Sequence, residues 1–232
     1  MNAAGTGTAS PARTGANTAN VIAIDGPAAS GKGTLAQRLA DHFGYARLDT
    51  GLLYRAVGLS LVRAGIDPND AQAAEKAARA LDPGLLSDPE LRSDRAAEAA
   101  SKVAVVPGVR AALLEFQRDF AARPPGGAKG AVLDGRDIGT HVCPSAPVKL
   151  FVTAPVEVRA RRRLNELRER GLPAIDTAVL QAMKDRDARD QGRDVAPMRP
   201  ADDAIVLDTA DLDADQALSA ALAIIRKQNR LR

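Results

Sequence analysis

An apolar, β-branched run, Val21–Asp25, feeds into Gly26-Pro27-Ala28-Ala29-Ser30-Gly31 and then into Lys32-Gly33-Thr34, where a helix-like stretch begins. Strand, glycine-flanked turn and helix in that order make a phosphate cradle. No bulky side chain at Gly26 or Gly31 stops the loop's N–H groups from turning inward, and the helix start adds its free N–H groups and the positive end of its dipole. Lys32 supplies a mobile point charge that reaches terminal phosphates. The strict pattern G-x-x-x-x-G-K-[ST] is broken at its last position, where Gly33 precedes Thr34. An alanine at position 29 of such a loop is accommodated if its φ is negative.

Four more strand-like runs follow, at 46–50, 131–134, Val148–Thr153 and 204–208, with helical stretches between them. That alternation predicts an α/β fold in which a parallel sheet carries helices on both faces. Ligands on such sheets bind beyond the carboxyl ends of the strands. The residues standing there are polar: the phosphate loop, then Asp49-Thr50-Gly51 leading to Arg55, then Asp134-Gly135-Arg136-Asp137.

Two segments exceed this minimal core. An insert at about 66–105 is rich in Ala, Glu and Arg, and from Ala71 to Ala100 it holds no Val, Ile, Thr or aromatic residue. It is therefore predicted to be helical and loop-like, broken by Pro68, Pro83, Gly84 and Pro89. A second segment, the candidate lid at about 157–172, is a charged helix whose apolar residues are Val158, Leu164 and Leu167, closed by Gly171 and Pro173. Pairs such as Glu157–Arg161 and Glu166–Arg170 would make it a solvated helix. A last helix, 214–231, carries Leu218, Leu222 and Ile225 toward the sheet.

The chain has 232 residues, 45% of them hydrophobic, enough for one compact domain over 21–232. Residues 1–20, mostly Ala, Gly, Thr and Asn with no apolar run, are expected to be a disordered tail. Aromatics make up 3%, so the core must be aliphatic and base-stacking platforms are poorly supplied. One cysteine, Cys143, excludes an internal disulfide, and two histidines leave no metal-binding set. No apolar run is long enough for a signal peptide or a membrane span, so a cytoplasmic protein that contacts no membrane is expected. The net charge is only +3, but arginines crowd 159–170 and 186–199, which points to an anionic ligand.

Taken together, the phosphate loop, LDTGLLYR (48–55), AASKVA (99–104) with Val109-Arg110, LDGRDIGT (133–140) and RDARDQGRDVAP (186–197) resemble a bacterial-type cytidylate kinase. The resemblance runs from Val21 to the C-terminus and implies transfer of the ATP γ-phosphoryl group to CMP or dCMP. It implies ATP phosphates held by Gly26, Pro27, Ala28, Ala29, Ser30, Gly31, Lys32, Gly33 and Thr34, and an acceptor phosphate held by Arg55, Arg136 and Arg193. Guanidinium forks suit a phosphate dianion through parallel charge-assisted hydrogen bonds. The resemblance further implies cytosine reading by Ser101, Arg110 and Asp137, and ribose contacts from Arg186 and Asp190. Thr50 stands where the family commonly has serine. Long-insert members of the family carry extra strands in the insert, which this chain lacks the residues to form.

Such chemistry needs positioning and charge neutralisation rather than a general base. Mg2+ is expected with ATP, oriented by Thr34, or by Asp25 or Asp134 through water, and lid arginines are expected among Arg159, Arg161, Arg162 and Arg163, with Arg162 the representative choice. A monomer working on small molecules, with no nucleic acid partner, is expected. The phosphate loop alone leaves open a kinase for AMP, UMP or shikimate. A nucleic-acid-binding NTPase with its arginines along a phosphate backbone is a further alternative. No [NT]-K-x-D motif supports a GTPase.

Overall fold

The computed structural model describes residues 20–228 and 231, so the expected tail lies outside the described residues except for Asn20. Five strands, β1 (Val21–Asp25), β2 (Ala46–Asp49), β3 (Ala131–Gly135), β4 (Val148–Thr153) and β5 (Ile205–Asp208), form one parallel sheet in the order β2-β3-β1-β4-β5. The central strand β1 is buried throughout, and alternation sends its side chains to two cores. Ile22 and Ile24 pack with Leu35 and Leu39 of α1 (Lys32–Phe43) and with Ala221 and Ile225 of the last helix. Val21 and Ala23 pack on the opposite face with Leu133, Ile138 and Ala121.

Boundaries move where capping overrides β propensity. Thr50, read as strand, starts α2 (Thr50–Arg63) because the Asp49 carboxylate accepts from Gly51 N at 3.0 Å and caps the helix. After α2 come α3 (Ala71–Arg79), two 3₁₀ turns at Pro83–Ser87 and Pro89–Arg92, α4 (Asp94–Val103) and α5 (Pro107–Ala122). Their shared core is aliphatic, with Leu53, Val57, Ala74, Ala78, Val103 and Val109. α2 and α4 nearly touch at Gly58, where an added Cβ would lie 2.7 Å from the Ala99 Cβ. That close approach seats α4 directly against α2.

α6 (Val156–Glu169) and α7 (Asp176–Gln191) form the second addition. Leu164 and Leu167 are buried as the apolar pattern suggests, but Arg159 is buried too, a placement that periodicity of apolar residues cannot report. α8 (Ala214–Gln228) buries a stripe of two alanines, Ala217 and Ala221, together with Ile225, with Leu218 and Leu222 partly buried beside it. Small residues let this helix lie close on the sheet. Among the described residues no helix is long and apolar enough to cross a membrane.

The phosphate loop departs from expectation at one residue. Ala29 adopts φ +57°, in the left-handed region, rather than a negative φ. The tight reversal between β1 and α1 overrides its preference, with Gly26 at φ +146° and Gly31 at φ +85° on either side. Gly26 has no alternative, since a Cβ there would lie 2.0 Å from the Val152 carbonyl oxygen of β4. A left-handed alanine costs about 1 kcal/mol relative to glycine. Ala29→Gly is therefore expected to raise the melting temperature of the ligand-free protein by roughly 2–4 °C. Differential scanning calorimetry checks this, and an unchanged or lower melting temperature would show that Ala29 is not strained.

Candidate active site

The phosphate loop stands between two cavities, and Ala29 lines both. The larger, about 830 Å³, lies between α2, α4, α6 and α7 and is walled by Arg55, Ser101, Arg163, Arg186 and Arg189. The smaller, about 400 Å³, is walled by Gly31, Thr34, Arg162, Thr209 and Leu212. A loop built to hold phosphates thus opens on either side to a space of ligand size.

Behind the larger cavity lies a cluster of buried cations. Lys32 Nζ donates to Pro27 O at 3.1 Å. Arg136 Nε donates to Asp190 Oδ2 at 2.9 Å, and Arg193 pairs with the other oxygen of the same carboxylate. Arg55 Nη1 donates to Leu91 O at 2.7 Å. The Nε groups of Arg186 and Arg193 are buried without a partner. Burial, followed by the neighbouring Arg136 charge, pushes Lys32 down to about 7 and Arg186 down to about 9. Asp190 moves the other way: burial raises it, but Arg136, Arg193 and Arg186 together hold it below the ordinary carboxylate range. Desolvated cations with unused donors suit an anion.

The three residues assigned to base reading divide between two layers. Arg110 on α5 pairs with Asp137 Oδ2 in the interior, and both are buried. Arg110 Nε and Nη1 have no partner there, and its guanidinium lies 5.9 Å from the centre of the Tyr54 ring. Ser101 lies on the cavity wall, its Oγ accepting from Arg189 Nε at 3.1 Å. Thr50 Oγ1 donates to Asp134 O at 2.9 Å and ties α2 to β3.

The oxygen-bearing side chains around the loop are distinct in their surroundings. Asp25 accepts from Ile138 N and Gly139 N, each at 2.7 Å, and burial raises its carboxyl to about 7. Asp134 is paired with Arg47 at 3.0 Å. Thr34 faces the smaller cavity.

The four arginines of α6 also divide. Arg159 is a buried clasp, donating to Ala154 O at 2.8 Å, Ala28 O at 3.2 Å and Asp187 Oδ2 at 2.6 Å, so it joins α6 and α7 to the phosphate loop. Arg162 reaches Thr209 Oγ1 at 3.0 Å. Arg163 pairs with Asp94 of α4 and with Glu166 at 2.6 Å. Arg161 is exposed.

Four residues at the site were given no role from the sequence. Thr209 Oγ1 lies 2.9 Å from Ser30 O and pins the phosphate loop to the end of β5. Arg47 and Arg189 line the larger cavity, and Asp187 receives Arg159. The spacing of Arg186, Arg189 and Asp190 on α7 was the one signal available, since a helix brings such positions to one side.

A family model described as cytidylate kinase matches residues 22–227. The cytidylate kinase of Paramagnetospirillum magneticum is 68% identical over 205 residues, covering 88% of this chain and 97% of that protein. The cytidylate kinase of Rhodospirillum rubrum is 62% identical over 210 residues, covering 90% and 99%, and that of Granulibacter bethesdensis 58% over 208 residues, covering 90% and 97%. A phosphate loop between two cavities, a buried arginine cluster and matches across nearly the whole folded chain lead to one conclusion: the chain belongs to the cytidylate kinase family.

Proposed function

We propose that the protein transfers the γ-phosphoryl group of ATP to CMP or dCMP, with the acceptor in the larger cavity and the donor base in the smaller one. The observation that carries this reading is the pair of cavities meeting at one phosphate loop, backed by desolvated cations. Arg55, Arg136 and Arg193 hold the acceptor phosphate, whose ionised oxygen attacks without a general base. Arg186 and Asp190 take the ribose. Lys32 leaves Pro27 O and follows the γ-phosphate through the transition state, where its charge counts most.

Base choice rests on Asp137 and Arg110. Arg110 occupies one oxygen of Asp137, and the other accepts from the cytosine exocyclic amine, while the unused Nε and Nη1 of Arg110 donate to the O2 carbonyl. Uracil presents a carbonyl where cytosine presents that amine, so two acceptors face each other with no proton between them.

Bound with ATP, Mg2+ would supply charge neutralisation for the phosphates. Among the described residues no group of three His, Cys, Asp or Glu side chains converges, which suits an ion carried mainly by phosphates and water. Thr34 and, through water, Asp134 fit as its protein contacts, whereas both Asp25 oxygens are engaged by backbone N–H groups. Arg162 and Arg163 remain to act over the transferring group, and Arg159 secures the loop under it. We further propose a cytoplasmic, monomeric enzyme with no nucleic acid or membrane partner, in keeping with its modest net charge.

Lys32→Ala is expected to lower kcat by roughly a hundredfold or more with little change in CMP affinity. Single-turnover kinetics alongside CMP titration measure the two, and near-normal kcat would remove Lys32 from the donor site. Asp137→Asn is expected to reduce kcat/KM for CMP and narrow its advantage over UMP, because an amide both accepts and donates. A coupled assay on both substrates decides this, with an unaltered ratio counting against Asp137 as reader.

Lys32 also makes donor binding depend on pH. With its pKa at about 7 in the ligand-free protein, it is largely neutral at pH 8, and a bound triphosphate restores the charged form. Binding should therefore take up roughly one proton at pH 8, and affinity should fall as pH rises above 7. Calorimetry in buffers of different ionisation heat measures the uptake, which should vanish in Lys32→Ala. Equal uptake in both proteins would place the proton elsewhere.

A further inference from the structure

Arg186 and Arg189, three residues apart on α7, both line the larger cavity, yet only Arg186 has a role in the reading above. Arg189 reaches across to α4 and donates its Nε to Ser101 Oγ at 3.1 Å. Ser101 itself is 4% exposed, and among the described residues its hydroxyl proton has no acceptor. Two other serines behave differently. Ser60 returns its proton to Val57 O at 2.8 Å and Ser87 to Gly84 O at 2.9 Å, the ordinary local solution for such a hydroxyl. In Ser101 the guanidinium occupies a lone pair of Oγ, and a hydroxyl that already accepts from a cation is polarised to donate.

We propose that Arg189 is a positioning residue that sets the polarity of Ser101, turning its hydroxyl proton into the cavity as a donor to the unprotonated ring nitrogen of cytosine. The same donor opposes uracil, which carries N–H at that position. The inference rests on the cytidylate reading and deepens it: selectivity comes from two opposed polar checks. Asp137 tests the exocyclic group, and the Arg189–Ser101 pair tests the ring nitrogen beside it. Without the guanidinium, Ser101 is free to give its proton to a helix carbonyl one turn back and to accept N–H from uracil instead.

Arg189 is exposed toward the cavity, so replacing it does not place folding at stake. Arg189→Met keeps the stem and removes the donor. It is expected to raise KM for CMP roughly tenfold, leave kcat within about twofold and lower the CMP-to-UMP ratio of kcat/KM roughly tenfold. Ser101→Ala should lower the ratio comparably, and adding Arg189→Met to Ser101→Ala should lower it no further. Arg189→Met that weakens CMP and UMP alike, or that acts equally in the Ser101→Ala background, would make Arg189 a general attractor for nucleotide charge and overturn the proposal. A Ser101→Ala ratio equal to that of the parent, with Asp137→Asn still collapsing it, would also overturn the proposal while leaving the cytidylate reading intact. A parent protein with no preference for CMP over UMP would instead remove that reading.

Discussion

Several positive charges are kept out of water with too few negative ones beside them. Asp190 serves Arg136 and Arg193 directly and Arg186 at longer range, while the amine of Lys32 donates to a backbone carbonyl, with Asp134 and Asp49 acting on it only through space. Such an arrangement opposes folding and favours the binding of an anion, which on the proposed function is a nucleotide phosphate. The rest of the structure holds this imbalance in place. The aliphatic sheet core fixes the phosphate loop, and the helical additions bring arginines from α2, α7 and the chain after β3 to a single point.

The elements that do the holding are mostly small. An alanine stripe on α8, Gly58 against Ala99, and Gly26 against the β4 backbone let neighbouring segments approach more closely than larger side chains would allow. Close approach is how a chain with 3% aromatic residues reaches a well-filled interior. It also explains why the additions on the sheet are helical, since Ala-rich segments gain more from helix than from strand.

Sequence alone conveyed the sheet with useful accuracy, because β1 and β4 are short apolar runs bounded by turn residues and their strand limits depend on that contrast. It also conveyed the strand, glycine-flanked turn and helix of the loop at 26–31, and it singled out Arg55 and Arg186, which stand in the wall of the larger cavity. Thr50 was misplaced by one element because a cap, a local hydrogen bond from Gly51 N to the Asp49 carboxylate, decided it. The φ of Ala29 was misjudged because the loop's path, not the residue's preference, sets it. Arg159, Thr209 and Arg189 were opaque for another reason. Each acts through a partner distant in sequence, and an arginine on a charged helix looks the same whether it faces water or clasps Ala28 O.

Asp25 gives this arrangement a mechanical meaning. Its two oxygens bind the N–H groups of Ile138 and Gly139, the residues that follow Asp137. The end of β1, where the phosphate cradle starts, and the turn that presents Asp137 are therefore bolted together inside the sheet. On the proposed function, donor grip and base inspection therefore share one chassis, while α4 and α7 are mounted on it from outside. Loosening that bolt would blur both functions at once, whereas remodelling the outer helices can retune substrate choice without disturbing the cradle. The protein in this sense separates the parts that must stay true from the parts that can be adjusted.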